Sequence, residues 1–554
     1  MNLINTPELK LIPLGGVGEV TKNMYVYEYG KYQLIVDCGI GFPDESTPGV
    51  DFLIPDITYI EKSKKKILGI IVTHGHMDHY GGLPFILPRL PGVPIFGSTL
   101  AMAMTEARIR EYGLNTKLHV IEKDLILGPF SIEFIHMTHS TPNAKHIFIK
   151  TPTASVYHGA DFKIDLNPPD NKPPDLATIA RIGEQGVDLL LTDCLGIEKE
   201  GSTPSEMLIK DTLDELVRKT KGKFILTTIS SSISRIEMAI QAASKYNRKV
   251  ALVGFSVVKN VEIAQKHGYI DIPKEVIIKA EQEKHLPPHQ VAIIIAGAQG
   301  QVGSGLYKLA AGEHRHIRLK NQDRVVISSS VIPGSESSVY NLIDTLYQQG
   351  VSVSYFGNTK NLHVTGHGYK QDLNLLLNLV KPKNVIPIGG DIRHMYLYQE
   401  MAQQSGYTKA QAQVLKDGQT IIIKKGQVHQ GKSIESRNIY VDGLGVGDVG
   451  TTILRDRQAM ASDGILLAVI PIDSQTTKVV GDIEIISKGF VYMKKSKTLI
   501  GKTKEVISQS LSKLQKTNIR DEIYIKKRVE EELERYLYQQ TERRPLIIAI
   551  LLKV

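Results

Sequence analysis

Tryptophan is absent from the 554 residues, and only two cysteines, Cys38 and Cys194, are present. Two thiols cannot build a disulfide framework, so the chain reads as cytoplasmic rather than as a secreted scaffold. Without Trp, any stacking on a nucleobase must come from Tyr, Phe, His or Arg. No apolar run approaches the roughly 20 residues that a spanning helix needs, because LLAVIPI and LIIAILL are only strand-sized, and no membrane association is expected. The start, MNLINTPELKLIPLGG, has no basic stretch followed by an apolar core, so no signal peptide is expected. Low-complexity tracts are missing too, which excludes extended disorder.

What is present is ordinary for globular chains, with 42% hydrophobic and 23% charged residues. The length exceeds what one core can organise and predicts three or four domains. The formal charge of +9 favours a polyanionic partner over a small neutral substrate, because summed positive potential concentrates nucleic acid near the surface.

The first ~150 residues read as short strands separated by turns: KLIPLG, MYVYEYG, YQLIVDCG, ILGIIVTHG, FSIEFIHM, IFIKT and ASVYHGADF, with helices from about Gly81 and Ser98. Thr203-Pro204-Ser205-Glu206 reads as a capping box opening a helix that carries Met207, Leu213 and Leu216. Strands and helices then alternate through KFILTT, KVALVG, VAIIIAG and RVVISSS, which predicts a parallel α/β sheet. The spacing of Leu373, Leu376, Leu377 and Val380 predicts a helix over Gln371–Val380. From about Gly464 the order is β-β-α-α-β, with Ile525, Val529, Leu533 and Leu537 on one face of the second helix.

The densest chemistry lies in Thr73-His74-Gly75-His76-Met77-Asp78-His79, directly after the apolar strand LGIIVT. His74, His76, Asp78 and His79, with a Gly between the first two, can converge on a pair of cations, and imidazole with carboxylate is a ligand set for Zn²⁺, with Mn²⁺, Mg²⁺ or Fe as alternatives. His139 and Asp161 end other strands and complete a candidate set. On composition alone, His136, His146 and His158 compete with them.

HxHxDH followed by a strand-end His and a strand-end Asp resembles the metallo-β-lactamase superfamily. PLGGVGEVTKNMYVYEYG, DCGIGFPD, IPDITYIEKSKKKILGIIVTHGHMDH, HGADFKID, TPSEMLIKDTL, HVTGHG and VYMKKS are similar to the ribonuclease J family along essentially the whole chain. The resemblance implies an α/β fold. A metallo-β-lactamase αββα sandwich (1–203 and 356–452) is interrupted by a β-CASP parallel α/β domain (204–355), and a linker (453–463) leads to a small C-terminal α/β domain (464–554). It implies a zinc-dependent 5′-to-3′ exoribonuclease with endonuclease activity, acting in rRNA and mRNA maturation and decay. His74, His76 and His139 would hold one zinc, Asp78 and His79 the other, and Asp161 would bridge. Two cations roughly 3.5–4 Å apart can activate water and neutralise the attacking and leaving oxygens of a phosphodiester. The implied partners are RNA, with 5′-monophosphate ends favoured, further copies of the chain in a homodimer or homotetramer, and an RNA-degradation complex.

His363-Val364-Thr365-Gly366-His367-Gly368 precedes the helix at Gln371. A Gly-rich turn feeding a helix N-terminus offers N–H groups to a phosphate, and His367 is placed as proton donor to a leaving 3′-oxygen. By the resemblance, Ile229–Arg235 lines a 5′-phosphate pocket, which makes Ser231 a candidate contact. Departures from the family pattern matter as well. Cys194-Leu195-Gly196 stands where the family has Ser-Thr-Asn, and Ser232 and Ser234 replace larger polar groups. In Pro387-Ile388-Gly389-Gly390-Asp391 the family's last metal-ligating His is replaced by Gly389, which weakens the second zinc site. The reading that competes with an active enzyme is a catalytically weakened RNA-binding scaffold paired with an active paralogue.

Overall fold

The computed structural model describes residues 7–554 except 45, 333, 425, 444, 475, 477, 492–495 and 516–520. Residues 492–495 of VYMKKS and the first six residues of the expected leaderless start lie outside the described residues. The chain forms two compact units, Met1–Phe42 with Leu53–Ile439, and Pro43–Phe52 with Tyr440–Val554.

The larger unit holds two face-packed sheets and a third, separate one. The first, eight-stranded sheet contains Leu9–Gly15, Met24–Tyr29, Tyr32–Val36 and Lys66–Val72, and is extended at one edge by the late strands Ile421–Lys424 and Gln427–Gln430. The second has six strands, in the order Asn384–Ile388, Leu189–Asp193, Ser155–His158, Ala144–Lys150, Phe130–Met137 and Asp124–Leu127. Leu11, Tyr27, Leu34 and Ile71 from one sheet share a buried core with Phe134, Ile147, Val156 and Leu190 from the other. Met24–Tyr29 is buried at every position, acidic Glu28 included. That carboxylate is tolerated because Lys65 (2.5 Å), Gln33 (2.8 Å) and Tyr59 (3.0 Å) all contact it.

The third sheet is parallel throughout, as the alternation of strands and helices predicts, with the order Ile277–Ile278, Lys249–Val253, Val291–Ile295, Phe224–Thr227, Arg324–Ile327, Ser352–Ser354. The expected capping box does not form. The helix runs Leu208–Lys219 behind Met207, with Ile209, Leu213 and Val217 buried and Leu216 only half-buried. Thr203 and Glu206 are drawn elsewhere. The Thr203 hydroxyl donates to the His367 carbonyl (2.9 Å), and Glu206 is buried against Lys163 and Arg235. Paired charges deep in the unit outcompete a local cap whose contribution is about 1 kcal/mol. The helix Lys370–Val380 buries Leu373, Leu376, Leu377 and Val380, as its spacing predicts.

In the smaller unit Ile465–Ile472 pairs antiparallel with Glu484–Lys488 and parallel with Leu546–Lys553. Helices Lys497–Gln515 and Glu522–Thr541 belong to its core, with Ile525, Val529, Leu533 and Leu537 buried. The stretch 453–463, read from sequence as a linker, lies within helix Thr451–Asp463. Among the described residues no helix is long and apolar enough to cross a membrane.

Candidate metal centre and substrate cleft

Strand Lys66–Val72 delivers the His-rich loop to the edge of the first sheet, and the loops after Phe130–Met137 and Ser155–His158 bring His139 and Asp161 to it from the second. Single ligand atoms of His74, His76, His139 and Asp161 lie within 4.8 Å of one another, as do those of Asp78, His79 and Asp161 and those of Asp161, Asp193 and His367. Asp161 belongs to all three groups.

The second ring nitrogen of several imidazoles is anchored by the protein. The Thr73 hydroxyl donates to Asp37 (2.9 Å), so its oxygen accepts from His74 Nδ1 (3.1 Å) and a lone pair remains on His74 Nε2. His139 Nδ1 donates to the Gly366 carbonyl (2.7 Å), and His79 Nδ1 donates to Asp37 (2.8 Å). The freed nitrogens then face one another, with His76 Nδ1 at 3.2 Å from His74 Nε2 and 3.0 Å from His139 Nε2. Three imidazole nitrogens gathered this closely beside the Asp161 carboxylate form a donor set that fits a metal, and the anchoring is the usual outer-shell arrangement of metal-binding histidines. Electrostatics agree. Burial drives His74 and His139 well below the ordinary histidine range and His76 down to about 3, which leaves neutral ligands. Burial opposes a charge on His79, yet Asp161, Asp37 and Asp78 outweigh it and hold that imidazole well above its usual value, as expected where positive charge is stabilised.

Asp37 was missed by sequence reasoning, although it ends the strand Tyr32–Val36 one residue on and its side chain bonds the Thr73 amide at 2.8 Å. Its signal was the DCG turn after an apolar strand. His136, His146 and His158 are not drawn in. They bond the Lys172 carbonyl (2.9 Å), Tyr157 (3.1 Å) and Tyr27 (2.8 Å).

Gly389 faces the centre. A Cβ built there would lie 3.7 Å from Asp161 Oδ1 and 3.8 Å from Asp193 Oδ1, so the position is a ligand's, but it offers no donor and its φ is +65°. His394 and Asp391 do not substitute. His394 Nδ1 accepts from the Asp391 amide (3.1 Å) at the start of helix Ile392–Gln404, and its Nε2 meets Glu198 (3.2 Å).

His367 Nδ1 lies 2.7 Å from Asp193 Oδ2, and its Nε2 lies 3.9 Å from Asp161. Burial opposes its charge, but Asp193 and Asp161 prevail and push it up to about 9. The helix N-terminus beyond it is closed to phosphate, contrary to the expectation above. The amides of Tyr369, Lys370 and Gln371 donate to Thr203 Oγ1 (2.8 Å) and to the carbonyls of Lys199 (3.0 Å) and Gly201 (3.0 Å).

Arg235, another residue that sequence reading left unassigned, ties the segment down. It is 1% exposed and commits all five N–H groups: Nε and Nη2 to Glu206 Oε1 (2.9 and 2.6 Å), Nη2 to the Val364 carbonyl (3.0 Å), and Nη1 to the Ser328 carbonyl (2.8 Å) and His363 Nδ1 (2.8 Å). His363 therefore carries its proton on Nε2, which is buried without a protein hydrogen bond. Val364 is buried, whereas His363, Thr365, Gly366, His367 and Ser231 line a cleft of about 580 Å³ that also reaches His76, Asp78 and Asp161. Its opposite wall is the carboxyl edge of the parallel sheet, where α/β sheets bind ligands. Ser230–Ser232 follow strand Phe224–Thr227, Phe255 follows Lys249–Val253, and Ser330–Ile332 follow Arg324–Ile327.

Four family models match the chain. They are the metallo-beta-lactamase superfamily over residues 17–193, the beta-CASP domain of ribonuclease J over 221–346, a Zn-dependent metallo-hydrolase RNA specificity domain over 357–412, and the ribonuclease J C-terminal domain over 452–554. The chain is 34% identical over 554 residues to ribonuclease J2 of Bacillus subtilis, covering 99% of each, and 37% identical over 505 residues to ribonuclease J of Helicobacter pylori, covering 90% of this chain and 73% of that one. Among solved structures, a protein of unknown function from Enterococcus faecalis aligns with a TM-score of 0.53 at 13% identity, covering 75% of this chain and all (100%) of that one, a likeness of fold alone. With a lactamase-type sandwich, a parallel-sheet insertion and a C-terminal unit in this order, and with relatives matched end to end, the chain belongs to the ribonuclease J family.

Proposed function

We propose that the chain is a metal-dependent ribonuclease that degrades RNA 5′-to-3′, cuts it internally as well, and acts in rRNA and mRNA maturation and decay in the cytoplasm. The observation that supports this best is the convergence of His74, His76, Asp78, His79, His139 and Asp161 beside a cleft of about 580 Å³ that reaches His76, Asp78 and Asp161. Two divalent cations, zinc in our reading with Mn²⁺ or Mg²⁺ as alternatives, would supply Lewis acidity toward a phosphodiester and lower the pKa of an attacking water there.

The chain's own groups do the rest. His367, oriented by Asp193, holds a proton on Nε2 for the leaving 3′-oxygen. His363 Nε2–H, Thr365 and Ser231 offer uncharged donors to phosphate oxygens, and the Gly366 carbonyl fixes His139. A site around Ser231 that receives a single 5′-phosphate would disfavour three, so exonucleolytic decay is expected to be several-fold faster on 5′-monophosphate than on 5′-triphosphate RNA. The decisive experiment incubates metal-loaded protein with both RNAs and reads product lengths. Mononucleotides from the 5′ end support the reading, and intact RNA at every metal concentration overturns it.

Gly389 favours a second reading, a weakened subunit that scaffolds an active paralogue. The expected resolution is one tight and one loosely held cation, the loose one bound through Asp78, His79 and Asp161. Metal titration of the chelator-treated chain should then show activity rising well beyond one equivalent. Gly389→His should lower the half-saturating concentration, less the roughly 1–2 kcal/mol of left-handed strain that its φ of +65° imposes. Saturation of the parent at two tight equivalents removes the weak site, and no cleavage with full metal leaves the scaffold. Assembly as a homodimer or homotetramer, and membership of an RNA-degradation complex, belong to the same reading.

A further inference from the structure

The cleft carries an aromatic ring in an unusual position. Phe255 opens helix Phe255–Lys266 and is 72% exposed, more than any other Phe or Tyr among the described residues. A turn at Gly254 places it there. Gly254 has φ +105°, a conformation closed to ordinary side chains, and a Cβ there would meet Ala296 Cβ at 2.6 Å. The strand Lys249–Val253 therefore ends abruptly, and the next residue is presented at the carboxyl edge of the sheet, in the same cleft as His76, Asp78, Asp161 and His367. Of the other aromatic residues lining the cleft, Tyr80 is buried and Phe42 is 49% exposed.

The cations of the cleft are committed. Lys259, one turn along the helix, has its ammonium 5.5 Å from the Phe255 ring centroid and pairs with Glu111 at 2.5 Å. Glu111 also pairs with Arg108 (2.9 Å), which lies over the Tyr112 ring. Arg235 has spent its donors, as described above. The lysine and arginines lining this cleft are thus paired within the protein, whereas a broad apolar ring stands open to it.

We propose that Phe255 is a stacking platform for a base of the bound RNA, so that this wall of the cleft holds the strand by base stacking on a ring rather than by Lys or Arg pairs to phosphate. Every base has a π face, so the platform tolerates any sequence, with purines held better than pyrimidines because their larger rings overlap more. The Lys259 ammonium near the ring adds a cation–π contact that holds the platform in place. The inference rests on the ribonuclease reading, because it takes the cleft's occupant to be single-stranded RNA.

The absence of Trp elsewhere in the chain supplies a clean probe, since Phe255→Trp introduces the sole indole. The full-length variant, chelator-treated so that RNA is not consumed, is titrated with a fluorescently labelled 5′-monophosphate oligoadenylate. Anisotropy of the label reports binding, and indole emission reports stacking. The expected result is that emission is quenched in step with binding and less strongly by oligouridylate. Phe255→Ala should weaken binding by roughly 10- to 100-fold, and Phe255→Tyr should retain it. Because Phe255 is exposed, its truncation leaves the fold intact, which an unchanged unfolding temperature verifies. Binding without quenching, together with unweakened binding by Phe255→Ala, overturns the platform and leaves the ribonuclease reading standing. No rise in anisotropy for any variant overturns both.

Discussion

Replacing Asp78 by alanine is expected to reduce RNA cleavage by at least about 10³-fold, the several kcal/mol that cations contribute to the charge of a phosphoryl transition state. His76→Ala should do the same. Neither change should unfold the chain, because Asp78 is about one-fifth exposed at its side chain and His76 is half-buried at the cleft floor, so no apolar contact is opened. The two variants weaken different cations, and zinc content measured after dialysis should fall in both while the cooperative melting transition persists. Near-parental cleavage by either variant would sink the assignment of chemistry to this site.

Arg235 carries the other large effect, on stability. Arg235→Ala strands the Glu206 carboxylate, whose ionisation burial opposes but Arg235 and then Lys163 favour, holding its pKa below the usual carboxylate value. It also abandons the carbonyls of Ser328 and Val364 and the ring of His363. Breaking a buried pair on one side costs about 3–5 kcal/mol. Arg235→Lys should recover little, since an ammonium cannot reproduce the fork of donors. Urea unfolding measures the loss, and Arg235→Ala combined with Glu206→Gln should recover part of it, because the orphaned charge goes with its partner. A single-variant loss below about 1 kcal/mol would show that Lys163 alone satisfies Glu206.

The metal loop and the helix at Lys370 were legible because each is local. Ligand spacing lies within six residues after a strand, and apolar spacing alone places the buried face of a helix. The parallel insertion was legible from alternation. Arg235, Asp37 and Phe255 were not, because their meaning comes from partners far along the chain: Glu206 and Val364 for the first, His79 for the second, and a cleft wall assembled from several strand ends for the third. The capping box at Thr203 failed for the same reason. Thr203 and Glu206 have the right local spacing, but stronger distant partners claim both side chains. At His363–Gly368 the segment lines the cleft, but the phosphate cradle expected at the helix N-terminus is not open, because carbonyls from residues 199 and 201 take the helix amides.

The sandwich is finished by strands that arrive late. Leu189–Asp193 is buried along its length and pairs on one side with Asn384–Ile388, and Leu9–Leu11 pairs with Ile421–Ile423. A ribosome adding about 5–20 residues per second releases the apolar run LLLTD roughly 10–40 s before its neighbour exists. Through that interval the nascent chain exposes an unpaired strand edge whose only charge is the terminal Asp193, the kind of template on which chains aggregate. The inserted parallel sheet emerges meanwhile with its strands consecutive in sequence and can close on itself. Production of this protein therefore depends on whatever shields that edge during synthesis, so slower translation without added chaperone capacity should lower the soluble yield even though the finished molecule is unchanged.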